Sequence, residues 1–503
     1  MRIGHRIKLT LILGFGLHFG GYRKSRGSVA LAIFVGAFFF LIQFPVLARP
    51  NILFILVDDL AWTDLGSYGH PWHHSPHIDR LATEGMRFTQ AYSPAPICSS
   101  ARASILTGKT PARLGLEFVV KAEPGEQIIE PPQLLKTPPF TVALELREET
   151  IAETLQQANY QTAYFGKWHL NPHYQGRYLG WSPSHGPQRQ GFAIAEEDFG
   201  SHPYSKTRLS VLSEEGRYHR DGITERAIRF LEESRDEPFF LIVSHFFVHT
   251  PVQSPYAWLK DKYENKIPKD APNRALRIEY AAFVETLDHH VGQLLKGLDE
   301  RGHRESTLVV FISDNGGHPE YASHAPLRGS KWNLYEGGIR VPLLVRWPNH
   351  IARGAVSDTP VVGYDLFSTF REVVGAPEGS LEKSRDGLSL TPLFEDPGQD
   401  FDRALYWHFP YYHPEGPKFG NATLDIGVDD FSVSQTRPHS AIRKGNYKLL
   451  YFQEQGDSEL YELNEDPSEL NNLSHLLPAK TTELRNELQS YLTQANARQA
   501  RLP

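Results

Sequence analysis

The chain predicts an α/β protein: a large, mostly parallel sheet sandwiched by helices, followed by a smaller C-terminal α+β part with an antiparallel sheet. Three observations carry this. Continuous apolar runs such as Asn51-Ile-Leu-Phe-Ile-Leu-Val57 alternate with helix-length segments, the order that gives parallel strands covered on both faces. Four of these runs end on acids, lysines or histidines, at the strand edge where open α/β sheets gather ligands. Beyond about Pro348 the texture shifts to short alternating segments with Pro- and Gly-rich connections, as in antiparallel strands.

The elements follow in order. Strands are expected over 51–57, 161–165, 239–244, 308–313 and 341–346, and helices over 76–84, 150–159, 222–234 and 274–298. Residues 116–140 and 176–207 read as long Pro/Gly-rich loops of the kind that bind ligands. Residues 350–400 form the junction. Short strands over 404–408, 440–443, 447–452 and 459–463 and a closing helix over 482–495 follow it. The domains are accordingly 49–375 and 376–503.

The first 48 residues stand apart. Arg2, Arg6, Lys8, Arg23, Lys24 and Arg26 precede an apolar run over 29–42 that closes on Val46-Leu-Ala48. This is the layout of a secretory signal peptide, implying a periplasmic or secreted protein. An uncleaved membrane anchor is the alternative, although the run is short for a bilayer.

Composition narrows the function. A formal charge of −7 offers no basic footprint, so nucleic acid is excluded as a partner. An exported chain with a single cysteine has no intramolecular disulfide, and Cys98 is left to be explained. Most free cysteines are small buried hydrophobes. Cys98, however, opens an apolar helix-forming run, with Arg102 one turn on and on the same face. Backbone N–H groups and the helix dipole at that point suit an anionic nucleophile or ligand.

The strand-end clusters suggest the rest. Asp58, Asp59, Asp314 and Asn315 offer only oxygen, which suits a hard divalent cation, calcium before magnesium; there is no zinc-type Cys/His spacing. Their plainer reading is helix caps and turns. Lys167 and His169 share one face of an extended segment, and His249-Thr-Pro251 follows another strand. Lys331 lies in a glycine-rich loop. Arg102, Lys167 and Lys331 converging with a cation would clamp a tetrahedral oxyanion, with the two histidines as acid and base. The chemistry that fits is hydrolysis of a sulfate or phosphate ester.

With these residues assembled, the chain resembles the type I sulfatases of the alkaline phosphatase superfamily. The resemblance runs from Arg49 to about Leu473 and rests on motifs in family order: Arg49-Pro-Asn-Ile-Leu-Phe-Ile-Leu-Val-Asp-Asp59, Cys98-Ser-Ser-Ala-Arg102, Gly166-Lys-Trp-His169, Asp314-Asn-Gly-Gly317, Arg328-Gly-Ser-Lys331 and Glu336-Gly-Gly-Ile-Arg-Val-Pro342. One position departs: Ser100 stands where the family most often has proline. The resemblance implies that a maturation enzyme oxidises Cys98 to formylglycine. Its hydrate would be the nucleophile and a metal ligand beside Asp58, Asp59, Asp314 and Asn315. It further implies that Arg102 holds the diol, Lys167 and Lys331 neutralise sulfate oxygens, His249 protonates the departing alcohol and His169 takes the proton that releases sulfate. A phosphomonoester or phosphodiester hydrolase of the same fold is the alternative, or a non-catalytic sulfate-ester binder if Cys98 stays unmodified. The expected substrate is a sulfated small molecule or the end of a sulfated polysaccharide, with His318, Glu320 and His324 as candidate selectors. The aromatic run Tyr406-Trp-His-Phe-Pro-Tyr-Tyr-His413 offers either sugar-stacking platforms or a packed domain junction.

Overall fold

In the computed structural model, residues 49–503 are described, except 129–132, 178, 203, 205–208, 234–236, 378–383, 414–425 and 430–435. The leader expected over 1–48 lies outside the described residues. Among the described residues no helix is long and apolar enough to cross a membrane.

Among the described residues fourteen strands form three sheets, numbered in chain order. β1 (Asn51–Val57), β2 (Met86–Phe88), β4 (Gln161–Gly166), β5 (Ile194–Glu196), β6 (Phe239–Ser244), β7 (Thr307–Ser313), β8 (Leu343–Arg346) and β9 (Ala355–Ser357) make the large one, in the order β5-β4-β6-β1-β7-β8-β2-β9. β3 (Ala91–Tyr92) pairs with β10 (Val361–Val362), and β11 (Ala404–Phe409), β12 (His439–Lys444), β13 (Tyr447–Phe452) and β14 (Ser458–Glu462) form an antiparallel sheet.

β1 is central because both its faces are apolar. Ile52, Phe54 and Leu56 enter one core under the helices Ile151–Gln157 and Asp365–Val373. Leu53, Ile55 and Val57 enter the other, under Pro76–Glu84, Gly222–Glu232 and Arg274–Glu300. Fully burying each such side chain contributes about 1.5–3 kcal/mol. β4, β6, β1 and β7 are adjacent and parallel, so their carboxyl ends lie side by side.

The sheet is mostly parallel, as expected, with β8 alone running antiparallel to its neighbours β7 and β2. A reversed β8 returns the chain to the edge that β7 left, which keeps the 314–342 loop at that edge. One expectation is corrected: the 176–207 segment is not all loop, since β5 lies within it at the edge of the sheet. A three-residue strand is too short to show a period.

The small sheet has two apolar faces. Ile442, Leu449 and Leu460 pack on Leu484, Leu488 and Leu492 of the Pro478–Gln494 helix. Trp407, Phe409 and Tyr411 instead join Tyr92, Trp332 and Tyr335. Trp407 is buried and its indole donates to the Ser93 carbonyl at 2.8 Å. Of the two uses read for the aromatic run, the packed junction is the one these rings serve.

Candidate active site

The four parallel strand ends deliver Asp58 and Asp59 after β1, Lys167 and His169 after β4, His249 after β6, and Asp314 and Asn315 after β7. Gly166 makes the first junction possible. It has φ +108°, and a Cβ there would sit 1.9 Å from the Ser244 carbonyl oxygen at the end of β6. Cys98 comes from elsewhere, as the first residue of the fully buried Cys98–Thr107 helix. That helix has no side-chain cap, which leaves its first N–H groups at the site.

Ligand atoms of Asp58, Asp59, Cys98 and His249 all fall within 4.8 Å of one another. The thiol lies 3.2 Å from Asp58 Oδ1 and 3.8 Å from Asp59 Oδ1. Asp314 stands beside this group, accepting the Asp59 N–H at 3.3 Å and Arg102 Nε at 2.8 Å. Asn315 donates to Asp59 Oδ1 at 2.7 Å, and its own Oδ1 is buried without a hydrogen-bond partner. Lys167 pairs with Asp58, and Lys331 with Asp59 at 2.6 Å. His249 Nε2 lies 3.7 Å from Asp59 Oδ2. Nine of the ten sequence-predicted metal-binding and catalytic residues therefore meet in one buried cluster; the tenth, His169, is buried two residues after Lys167.

Arg102 ties the strand ends together. Nη1 donates to the Lys167 carbonyl and to Ser244 Oγ, at 2.8 and 2.7 Å, while Nη2 has no hydrogen-bond partner and lies 3.9 Å from Asp58. Two serines that the sequence reading passed over complete the frame. Ser244 donates to the Lys167 carbonyl, and Ser313 Oγ accepts Leu60 N–H and donates to the Asn315 carbonyl. Both close an apolar strand just before a polar cluster, which was the available signal.

Electrostatics sharpen the picture. Burial would raise Asp58, but Lys167, His249 and Arg102 hold it well below its ordinary range. Asp314 is pushed up to about 7 by burial and by Asp58. Burial, then Asp58, raises the Cys98 thiol well above its ordinary range. At position 98, burial and a neighbouring carboxylate thus favour the thiol over the thiolate. Burial and Lys331 lower His249 to about 4, and burial with Lys167 lowers His169 well below its ordinary range. Asp59 and His169 have φ of 61° and 56°, and Trp332, next to Lys331, has 77°. Left-handed backbone at non-glycine residues costs about 1–2 kcal/mol each and gathers at functional sites. It also ends the extended segment expected to carry both Lys167 and His169.

The candidate selectors diverge. His318 is buried with its ring against Trp332, centroids 4.9 Å apart, and accepts the N–H of half-buried Glu320. His324 turns into its own loop, Nε2 3.0 Å from the Gly317 carbonyl oxygen.

Comparison with known proteins settles the family. The model of the sulfatase family matches residues 50–376, nearly all of the large-sheet region. The chain belongs to the sulfatase family. A model for the C-terminal part of N-sulphoglucosamine sulphohydrolases matches residues 330–498 of this sulfatase. It is 30% identical to a sulfatase from Formosa agariphila, over 89% of this chain and 90% of the relative. It is also 30% identical to human arylsulfatase A, over 86% and 85%. Mouse N-acetylgalactosamine-6-sulfatase is 31% identical, over 71% and 68%. Among solved structures, Ps i-CgsB in complex with k-i-k-neocarrahexaose superposes with a TM-score of 0.68 at 25% identity, covering 88% of this sulfatase and 93% of that chain. The protein is thus an enzyme that hydrolyses sulfate esters, and membership implies a divalent cation at the site.

Proposed function

We propose that this sulfatase acts on a sulfated carbohydrate, with Cys98 matured to formylglycine and one calcium ion held by Asp58, Asp59, Asp314, Asn315 and residue 98. The observation that carries the reading is Asn315 Oδ1, buried and unpartnered beside three buried carboxylates. An all-oxygen set with a spare donor suits calcium better than magnesium, which keeps its waters. When bound, the cation would activate the nucleophile at position 98 and stabilise charge on the sulfate. Formylglycine would replace a thiol that burial keeps protonated, and its hydrate allows sulfate to be expelled by a route closed to serine or cysteine.

The remaining roles belong to the chain's own side chains. Arg102, its Nη2 unspent, orients residue 98. Lys167 and Lys331, which pair with Asp58 and Asp59 in the structure, would neutralise sulfate oxygens. His249 delivers a proton from Nε2 to the departing alcohol oxygen, and His169 accepts the proton whose loss releases sulfate.

The carbohydrate assignment draws on the N-acetylgalactosamine-6-sulfatase relative and on the neocarrahexaose-bound neighbour. His318 and Glu320, in the loop with Lys331, are the selectors in this reading, and His324 braces the loop. Residues 1–48 act as an export signal, 49–375 as the catalytic domain and 376–503 as its smaller companion. Mass spectrometry of the peptide containing residue 98 tests the maturation, and the mass of unmodified cysteine in an active preparation overturns it. Parallel assays with 4-nitrophenyl sulfate and 4-nitrophenyl phosphate test the ester preference. A faster phosphate reaction counts against it. A panel of sulfated mono- and oligosaccharides then identifies the sugar.

A further inference from the structure

One part of the 176–207 segment has no role so far, although it reaches the site. Tyr204 places its hydroxyl 3.1 Å from His249 Nδ1 and donates it to the Thr250 carbonyl. The same carbonyl lies 2.6 Å from His249 Nδ1. A carbonyl only accepts, and the Tyr204 hydrogen is already committed to it, so Nδ1 must be the donor. The proton of neutral His249 is thereby fixed on Nδ1, and Nε2 is the nitrogen turned toward Asp59 Oδ2.

The tyrosine is itself held. Its N–H donates to His202 Nδ1 at 3.2 Å, and the two rings lie 4.5 Å apart. That bond leaves the His202 hydrogen on Nε2, which donates to the His249 carbonyl at 2.9 Å. His202 is fully buried, and burial keeps it neutral by lowering it to about 3. One residue earlier, Ser201 N–H is bound by Asp221, the N-cap of the Gly222–Glu232 helix, at 3.0 Å. His249 is therefore gripped at its ring and at its backbone by a segment anchored to a separate helix.

We infer that Tyr204 is a positioning residue for the leaving-group step, holding hydrogen on Nδ1 of His249 and aiming Nε2 at the oxygen that departs. This rests on the assignment of His249 as the acid. For this step His249 carries a second proton, taken up from water at Nε2 with the anionic ester bound. As the ester S–O bond breaks, its electron pair stays on the alcohol oxygen, which takes that Nε2 proton. The sulfuryl group passes to the nucleophile at position 98, and His249 is left neutral with its Nδ1–H still on Thr250 and Tyr204.

The test compares 4-nitrophenyl sulfate, whose leaving group departs without help, with 4-methylphenyl sulfate, whose leaving group needs a proton. General acids contribute roughly 10²–10⁴-fold. Tyr204→Phe should slow the methylphenyl ester by about tenfold or more and the nitrophenyl ester by less than about threefold. The ratio is taken within one preparation, so incomplete folding or maturation cancels. His249→Ala should shift the ratio further, and adding Tyr204→Phe to His249→Ala should leave it where it is. If His249→Ala shifts the ratio and Tyr204→Phe does not, the positioning role is overturned and the acid role stands. If His249→Ala leaves the ratio unchanged, the acid role fails and the inference falls with it.

Discussion

The cluster around Asp58, Asp59 and Asp314 and the cluster around Lys448, Glu336 and Glu469 are built from the same materials, buried carboxylates facing buried cations. In the second, Lys448 Nζ lies 2.9 Å from Glu336 Oε1 and 2.9 Å from Glu469 Oε1. Glu336 Oε2 accepts from Tyr92 at 2.8 Å, and Glu469 Oε2 from Glu336 N–H at 2.6 Å. This cluster joins β13 to the loop that carries Lys331, five residues before Glu336. The first cluster instead keeps atoms in reserve, Asn315 Oδ1 and Arg102 Nη2, around the residue 98 side chain. Buried charge therefore does not mark a catalytic site by itself. What distinguishes the two clusters is that the second turns its groups on one another, even Glu469 Oε1, which lacks a hydrogen bond, lying 2.9 Å from Lys448 Nζ, whereas Asn315 Oδ1 in the first meets neither a donor nor a cation.

Substitutions can break this contrast. The largest effect is expected for Cys98→Ala, which should cut sulfate-ester turnover by about 10⁴-fold or more while barely moving denaturant unfolding. Turnover that survives would remove residue 98 from the chemistry. Lys448→Met leaves two buried carboxylates facing each other, and should cost about 3–5 kcal/mol in chemical denaturation. Its kcat/KM per folded molecule should drop less than about tenfold. Lost activity at unchanged stability would put Lys448 in the wrong cluster. Asn315→Ala should weaken calcium binding by about tenfold or more, read by calorimetry or by chelator titration of activity. Unaltered affinity would strike it from the ligand set. Smallest is Thr150→Ala, outside both clusters. Thr150 accepts Glu153 N–H at 3.3 Å while Glu153 accepts Thr150 N–H at 2.7 Å. Losing this capping box should cost about 1 kcal/mol of unfolding free energy and leave turnover alone.

The contrast also explains which parts were legible in the sequence. β1, β6 and the Pro76–Glu84 helix were read to the residue, because long apolar runs and a Ser-Pro start are local signals. The site was legible because four strand ends each carry their own polar cluster, and parallel pairing brings such ends together whatever their spacing. The bracing cluster was not legible. Lys448 and Glu336 are 112 residues apart, and each alone is an ordinary charge beside an apolar segment. The reversal of β8 was invisible as well, since a four-residue apolar strand looks the same in either direction. Tyr204 lay in a stretch recognised only as a loop, because nothing in its neighbours foretells the histidine it meets.

Cys98 is 1% exposed, at the head of a helix in which every residue is buried. On the proposed maturation a second protein must reach that thiol, and the finished fold gives it no way in. On that proposal oxidation would precede the burial of the helix, and the order of events during synthesis would decide whether a molecule becomes an enzyme. By the same proposal, a chain that folds first would keep its thiol, and adding the maturation enzyme afterwards would not rescue it. Specific activity would then report the history of each molecule as much as its sequence.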